Sequence, residues 1–309
     1  MNEFELIARL AKSLPTNEAV VAGAGDDCAV LDLGVPEKLL LFKTDAVVEG
    51  IHFTAETPPE KVGHKALARC LSDIAAMAGT PVAALVTIGL PKSFDAAHIS
   101  QIYDGLNALA KKHHVAITGG ETTTNPGGIF ISIALLGTVG RGKQIFRNGA
   151  KTGDAIFVTG ELGGSIHGRH LDFEPRLTEA RWLAEHFSIH AMVDLSDGLA
   201  GDLGHILKAS GVGAEILKTA LPVSQAAKLQ SKSSSAKPPH LAALTDGEDF
   251  ELLFTAAGKD AVKLLDEWKK KFPKLKLSCI GKIVIGDGII LRDHLGSQKL
   301  NAHGYTHFA

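Results

Sequence analysis

Asp194-Leu195-Ser196-Asp197-Gly198-Leu199-Ala200-Gly201-Asp202-Leu203 is the stretch from which the fold reads outward. The apolar run Met192–Leu195 enters it as a strand, and Leu199–Ala209 leaves it as a helix closing at Gly211. Asp194 then stands at a strand end, with Ser196 or Asp197 near the helix N-cap. Capping accounts for one hydroxyl or carboxylate and leaves Asp194 over, so Asp194 reads as functional.

The same grammar of small residues around an acid recurs at Gly25-Asp26-Asp27, Thr44-Asp45, Leu71-Ser72-Asp73, Gly119-Gly120-Glu121-Thr122 and Gly247-Glu248-Asp249. Between these turns the pattern alternates. Strands are expected over Cys28–Leu33, Leu39–Phe42 (delivering Thr44 and Asp45 to its end), Val82–Leu90, Val115–Thr118, Ile129–Val139, Ala155–Thr159 and Phe250–Phe254. Helices are expected over Phe4–Leu14, Pro59–Ala78, Ala96–His113 and Asp260–Phe272, from apolar residues at three- and four-residue steps. Strands alternating with helices make an α/β or α+β protein. The glycine- and lysine-containing stretch from Gly140 to Gly153 has loop composition, which places a boundary between residues 1–140 and 141–309. Gln230–Pro239, rich in Ser, Lys and Pro, reads as a surface loop.

Each acidic turn alone is also satisfied by a cap or turn role. Asp73 has a further competing explanation, because Arg69 lies four residues earlier on the same helical face and could form an ordinary ion pair. Taken together the acids point elsewhere. Two unit negative charges roughly 4 Å apart repel by about 4 kcal/mol at an effective dielectric of about 20, so convergent carboxylates call for cations. Mg²⁺ takes hard oxygen ligands and is typically shared between one or two carboxylates and substrate phosphates. A P-loop does not supply the phosphate site: Gly137 to Lys143 has the spacing, but Gln144 follows where a hydroxyl is required.

The 309 residues suffice for two domains. Lys+Arg 32 against Asp+Glu 34 gives a net charge of −2, which excludes an electrostatic footprint for nucleic acid or an anionic membrane. Cys28, Cys70 and Cys279 have neither zinc nor disulfide spacing, and no apolar run approaches spanning length, so a soluble, unprocessed cytoplasmic protein is expected.

These pieces occur in an order that resembles a family. Gly25-Asp26-Asp27-Cys28-Ala29, Thr44-Asp45 with Glu49-Gly50-Ile51-His52-Phe53, Leu71-Ser72-Asp73-Ile74, Gly119-Gly120-Glu121-Thr122-Thr123, Arg147-Asn148-Gly149, Val193-Asp194-Leu195-Ser196-Asp197-Gly198, Gly247-Glu248-Asp249-Phe250 and Gly304-Tyr305-Thr306-His307-Phe308 resemble the thiamine-monophosphate kinases. These belong to the aminoimidazole-ribonucleotide-synthetase-like superfamily. The resemblance implies a two-domain α+β fold, with an N-terminal domain of mixed sheet and helices that pairs in a homodimer through the N-terminal sheets, and a C-terminal α/β domain. It implies transfer of the γ-phosphoryl group of ATP to thiamine monophosphate, with several Mg²⁺ ions and no general base. It assigns metal binding to Asp27, Thr44, Asp45, Asp73, Glu121, Asp194 and Asp197. ATP contacts fall to Tyr103, Gly120, Arg147 and Ser196, and acceptor contacts to His52, Glu248 and Tyr305.

Three positions depart from the family pattern. Glu121 stands where Asp is usual, Lys43 where a Ser often precedes Thr44-Asp45, and the segment from Gly160 to Asp194 is short. A sister ATP-dependent synthetase and a catalytically silent ATP-binding homologue are the alternative readings.

Overall fold

The computed structural model describes residues 3–231, 237–300 and 304–305. Residues 232–236 of the Ser/Lys-rich stretch expected as a surface loop, and Thr306, His307 and Phe308 of the closing motif, lie outside the described residues.

The chain forms two compact units, Glu18–Gln144 with Gly168–Thr178, and Met1–Asn17 with Ile145–His167 and Glu179–Ala309. The cut after Gln144 falls inside the loop expected between Gly140 and Gly153. Two pieces are exchanged across it: the opening helix groups with the second unit, and Gly168–Thr178 with the first.

After α1 (Glu3–Ala11), the first unit is built from β1 (Val20–Ala22), β2 (Ala29–Leu31), β3 (Lys38–Val48), α2 (Pro59–Ala76), β4 (Thr80–Leu90), α3 (Ala96–Lys112), β5 (Ala116–Thr124) and β6 (Phe130–Gly140). The six strands form one mixed sheet in the order β1-β2-β3-β6-β4-β5, with β4 and β5 parallel. Successive strand residues face opposite sides. Leu39, Leu41, Val47, Val86, Ile88, Ile131, Ile133 and Leu135 are buried on the side covered by α2, against Leu67, Cys70, Leu71 and Ile74. The other side stays open, with Phe42 45% and Leu85 49% exposed. Helices α2 and α3 approach so closely that a Cβ on Gly105 would lie 1.8 Å from the carbonyl oxygen of Glu60, and one on Gly63 1.8 Å from that of Ile102.

The late segment Gly168–Thr178 is strapped to those two helices. Lys61 Nζ donates to Asp172 at 2.8 Å, His64 Nε2 meets the carbonyl of Phe173 at 2.8 Å, and buried Lys65 meets His170 Nδ1 at 2.7 Å. Lys112 and His113 both reach Glu174, at 2.5 and 3.2 Å.

The second unit continues with β7 (Asp154–Thr159), α4 (Leu177–His186), β8 (Ile189–Asp194), α5 (Leu199–Ser210), β9 (Gly213–Leu217), α6 (Gln225–Gln230), α7 (Pro239–Thr245), β10 (Leu252–Ala257), α8 (Ala261–Lys271), β11 (Leu277–Val284), β12 (Gly288–Asp293) and β13 (Gly296–Lys299). Its seven-stranded sheet runs β13-β12-β9-β11-β7-β10-β8, parallel only between β9 and β12. Ile156, Val158, Val193, Leu203, Ile206, Ile216, Leu253 and Ile280 form its core. The short segment after Gly160 still holds α4. Trp182 packs edge-on against Phe272 at 5.4 Å and Trp268 at 6.0 Å, which fixes α4 to α8.

Candidate active site

In the first unit β3 is longer than its apolar run suggests, because register with β6 carries it to Val48. Thr44 and Asp45 are therefore inside the strand and face opposite ways. Asp45 and Lys43 point to the side covered by α2. There Arg69 Nε donates to Asp45 Oδ2 at 3.2 Å, and Lys43 Nζ donates to Asp73 Oδ1 at 2.8 Å. Lys43 is thus a partner of Asp73, and Arg69 reaches across to Asp45 on the strand. Asp27 and Asp73 are both buried, with carboxylate oxygens within 4.8 Å of each other. Burial pushes the pKa of Lys43 down, but Asp73 and Asp45 push it up further, and the ammonium stays charged.

Thr44 lies on the open side, where its Oγ1 and Ser132 Oγ are 3.4 Å apart. The cross-strand partners Ala46, Ser132, Thr87 and Glu121 form a row on that same side. The structure therefore brings Asp27, Asp45 and Asp73 to the helix-covered side and does not bring Thr44 or Glu121 to them. Gly120 lies inside β5 rather than in a turn, and a Cβ there would meet the carbonyl of Val86 at 1.7 Å. Tyr103 is half-buried on α3, and burial raises the pKa of its hydroxyl.

His52 follows β3. The Val48 N–H donates to its Nδ1 at 3.1 Å, which places the neutral ring's proton on Nε2. Lys65 Nζ donates to the His52 carbonyl at 2.7 Å, so a fully buried ammonium fastens this turn.

In the second unit the opening stretch folds as expected: β8 ends at Asp194, buried, and α5 begins at Leu199. Two other segments converge on the turn between them. Phe250 N–H donates to the Leu195 carbonyl and Glu248 N–H to that of Ser196, each at 2.7 Å, and Tyr305 N–H donates to that of Asp197 at 2.8 Å. Ser196, Asp197, Glu248 and Tyr305, remote in sequence, are thereby brought together. Glu248 and Phe250 adopt left-handed backbone, at φ +61° and +50°, which is uncommon outside glycine and strained for a bulky residue.

Sequence reasoning left Asp202 and His205 unassigned. Asp202 is buried and accepts from the Asp197 N–H at 3.1 Å. Its pKa is raised well above the usual range by burial first, then by Asp197 and Asp194, with Arg147 opposing. Ligand atoms of Asp197, Asp202 and His205 lie within 4.8 Å of one another. The signal was present: Asp202 opens α5, and His205 follows it at a three-residue step. Asp246 and Asp249 were also missed as anchors, although they accept from the backbone N–H groups of Gly164 at 3.0 Å and Gly163 at 2.9 Å.

Each unit thus offers buried carboxylate oxygens, a donor set that fits a hard divalent cation.

The "AIR synthase related protein, N-terminal domain" model matches residues 25–139 and the corresponding C-terminal domain model residues 151–294. The thiamine-monophosphate kinase of Rhodopirellula baltica is 42% identical, over 93% of this chain and 92% of that protein. That of Bacillus subtilis is 33% identical over the whole of both. A solved structure described as AaThiL complexed with AMPPCP and TMP superposes with a TM-score of 0.84 at 30% identity, covering 99% of this chain and 97% of that one. With both domain models matched and full-length relatives at this identity, the chain belongs to the AIR synthase related family, in its thiamine-monophosphate kinase branch.

Proposed function

We propose that this chain transfers the γ-phosphoryl group of ATP to the phosphate of thiamine monophosphate. An acceptor phosphate oxygen bonds to the γ-phosphorus as its bond to the β–γ bridging oxygen breaks, giving thiamine diphosphate and ADP. The observation that carries this reading is full-length similarity to thiamine-monophosphate kinases, including a structure described with AMPPCP and TMP.

Asp27, Asp45 and Asp73 in the first unit and Asp194 and Asp197 in the second would hold Mg²⁺, with Thr44 and Glu121 assigned by resemblance alone. When bound, Mg²⁺ neutralises the phosphate charge that would otherwise oppose the transfer. The chain's own part is positioning. Tyr103 offers a flat, half-buried surface to adenine or ribose, Gly120 a close backbone approach, and Arg147 and Ser196 polar contacts to the nucleotide. His52 presents an Nε2–H, Glu248 an anion for the thiazolium charge, and Tyr305 an aromatic face. No side chain need remove a proton, since the acceptor phosphate is already anionic near neutral pH.

The first unit would carry ATP and Mg²⁺ binding and dimerisation, and the second would complete the active site. Exposed Phe42, Val82 and Leu85 on the first unit's sheet support a homodimer through that face. No described helix is long and apolar enough to cross a membrane. The free thiols Cys28 and Cys70 are buried and suit a reducing cytoplasm.

The test is ATP consumption with and without thiamine monophosphate, with the product identified. Acceptor-dependent ADP formation and a thiamine diphosphate product are expected. ATP turnover with a different acceptor favours a sister synthetase, and nucleotide binding without turnover favours a silent homologue.

A further inference from the structure

The carboxylates beneath α2 meet protein cations before any metal is considered. Asp27, Asp45 and Asp73 carry three negative charges on the helix-covered side of one sheet, and Lys43 and Arg69 bring two positive charges to the same place. Both cations are fixed by geometry. Lys43 sits on β3 two residues before Asp45, so strand alternation sends its stem to the same face, and its ammonium reaches Asp73 at 2.8 Å. Asp73 is held in the last turn of α2, where the side chains on either side of it, Ser72 and Ile74, are also buried. A carboxylate oxygen of Asp27 lies within 4.8 Å of one of Asp73. An ammonium bonded to Asp73 offsets negative charge there as a bound cation would, with one charge rather than two.

We propose that Lys43 is a resident cation of this cluster: its ammonium holds Asp73 in place of one divalent ion, so the first unit binds fewer or more weakly held divalent ions than its carboxylates alone would. The proposal rests on the metal reading given above. It extends that reading by assigning Lys43 the charge-balancing place at Asp73 and by fixing the sign of the effect on metal binding. Removing the ammonium leaves Asp73 and Asp27 facing each other with less compensation, which destabilises the folded chain until a divalent ion replaces it.

The experiment uses the whole chain and Mn²⁺ as the probe. Mn²⁺ binding is followed by electron paramagnetic resonance of the free ion, and thermal denaturation is followed with and without Mn²⁺, for wild type, Lys43→Met, Lys43→Arg and Lys43→Met/Asp73→Asn. Lys43→Met is expected to bind one more Mn²⁺, or to bind at least tenfold more tightly. Its melting temperature should fall in chelator and recover with Mn²⁺ by several degrees more than that of wild type. Lys43→Arg should behave as wild type, and the double variant should lose the gain. The melting readout applies even to a marginally folded Lys43→Met protein, because metal-dependent recovery is itself the signature. Equal Mn²⁺ binding and equal Mn²⁺-induced melting shifts in wild type and Lys43→Met overturn this proposal and leave the metal reading standing. No Mn²⁺ binding by any of the four proteins overturns both.

Discussion

Glu248 donates its backbone N–H to the carbonyl of Ser196 at 2.7 Å from a left-handed conformation at φ +61°. The hydrogen bond ties the Gly247-Glu248-Asp249 turn to the turn that opens α5, and a residue with a Cβ is kept where glycine would be relaxed. Replacing Glu248 with Gly should therefore raise stability by roughly 1 kcal/mol while weakening thiamine monophosphate binding. Glu248→Gln keeps the backbone preference and isolates the carboxylate, and Tyr305→Ala removes the neighbouring ring. Both should weaken acceptor binding at near wild-type nucleotide affinity, read by calorimetric titration. Unchanged acceptor affinity in folded Glu248→Gln and Tyr305→Ala would sink the assignment.

Asp45, inside β3, accepts from Arg69. Asp45→Asn keeps the shape and removes the charge, so the chain should fold, by circular dichroism, and lose at least about a hundredfold in kcat/KM. A folded variant with wild-type turnover removes Asp45 from the site.

Tyr103 is only half-buried although it lies on a helix whose Ile102 and Leu106 are fully covered. Tyr103→Ala is expected to raise KM for ATP several-fold and to leave that for thiamine monophosphate near wild type. Steady-state kinetics with each substrate varied in turn decides it, and the reverse pattern counts against the nucleotide role.

Gly105 faces the Glu60 carbonyl where α2 and α3 cross. Backbone cannot yield as a flexible side-chain end can, so Gly105→Ala should cost about 3 kcal/mol despite the better helix propensity of alanine. A denaturant midpoint equal to wild type would show that the helices can separate freely.

Glu174 is pushed up by burial but pulled down further by His113 and Lys112, from its ordinary value to about 2. A depressed carboxylate pKa contributes stability that is complete above its unfolded value and disappears as pH falls toward 2. Solvent screens the pair, so the contribution near neutral pH is about 1 kcal/mol. Glu174→Gln should lower stability by that amount at pH 7 and flatten the loss of stability between about pH 4.5 and pH 2, measured by urea unfolding across the range.

Much of this was legible because local rules and tertiary structure agree. The passage from Met192 through Ala209 reads as strand, turn and helix in both sequence and structure, since an apolar run, a polar turn and an amphipathic run each leave a period in the chain. The side on which Thr44 lies was not legible. It depends on how far β3 continues, and that is set by eleven cross-strand pairs with β6, not by the residues of β3. Helix α4 was hidden for a similar reason: its anchor, Trp182, meets Trp268 and Phe272 from a helix far along the chain. The Lys43 contact to Asp73 was not legible either, because i,i+4 spacing is visible in sequence whereas a contact from a neighbouring strand is not.

The strap formed by Gly168–Thr178 gives the chain a timetable. A ribosome finishes the last strand of the first unit's sheet well before it makes Asp172, Phe173 and Glu174, so the nascent sheet waits with Lys61, His64 and Lys65 lacking that segment. A gene cut after Gln144 would make that wait permanent. The two halves are consecutive on paper, yet the first reaches its finished form only after synthesis of the second has begun.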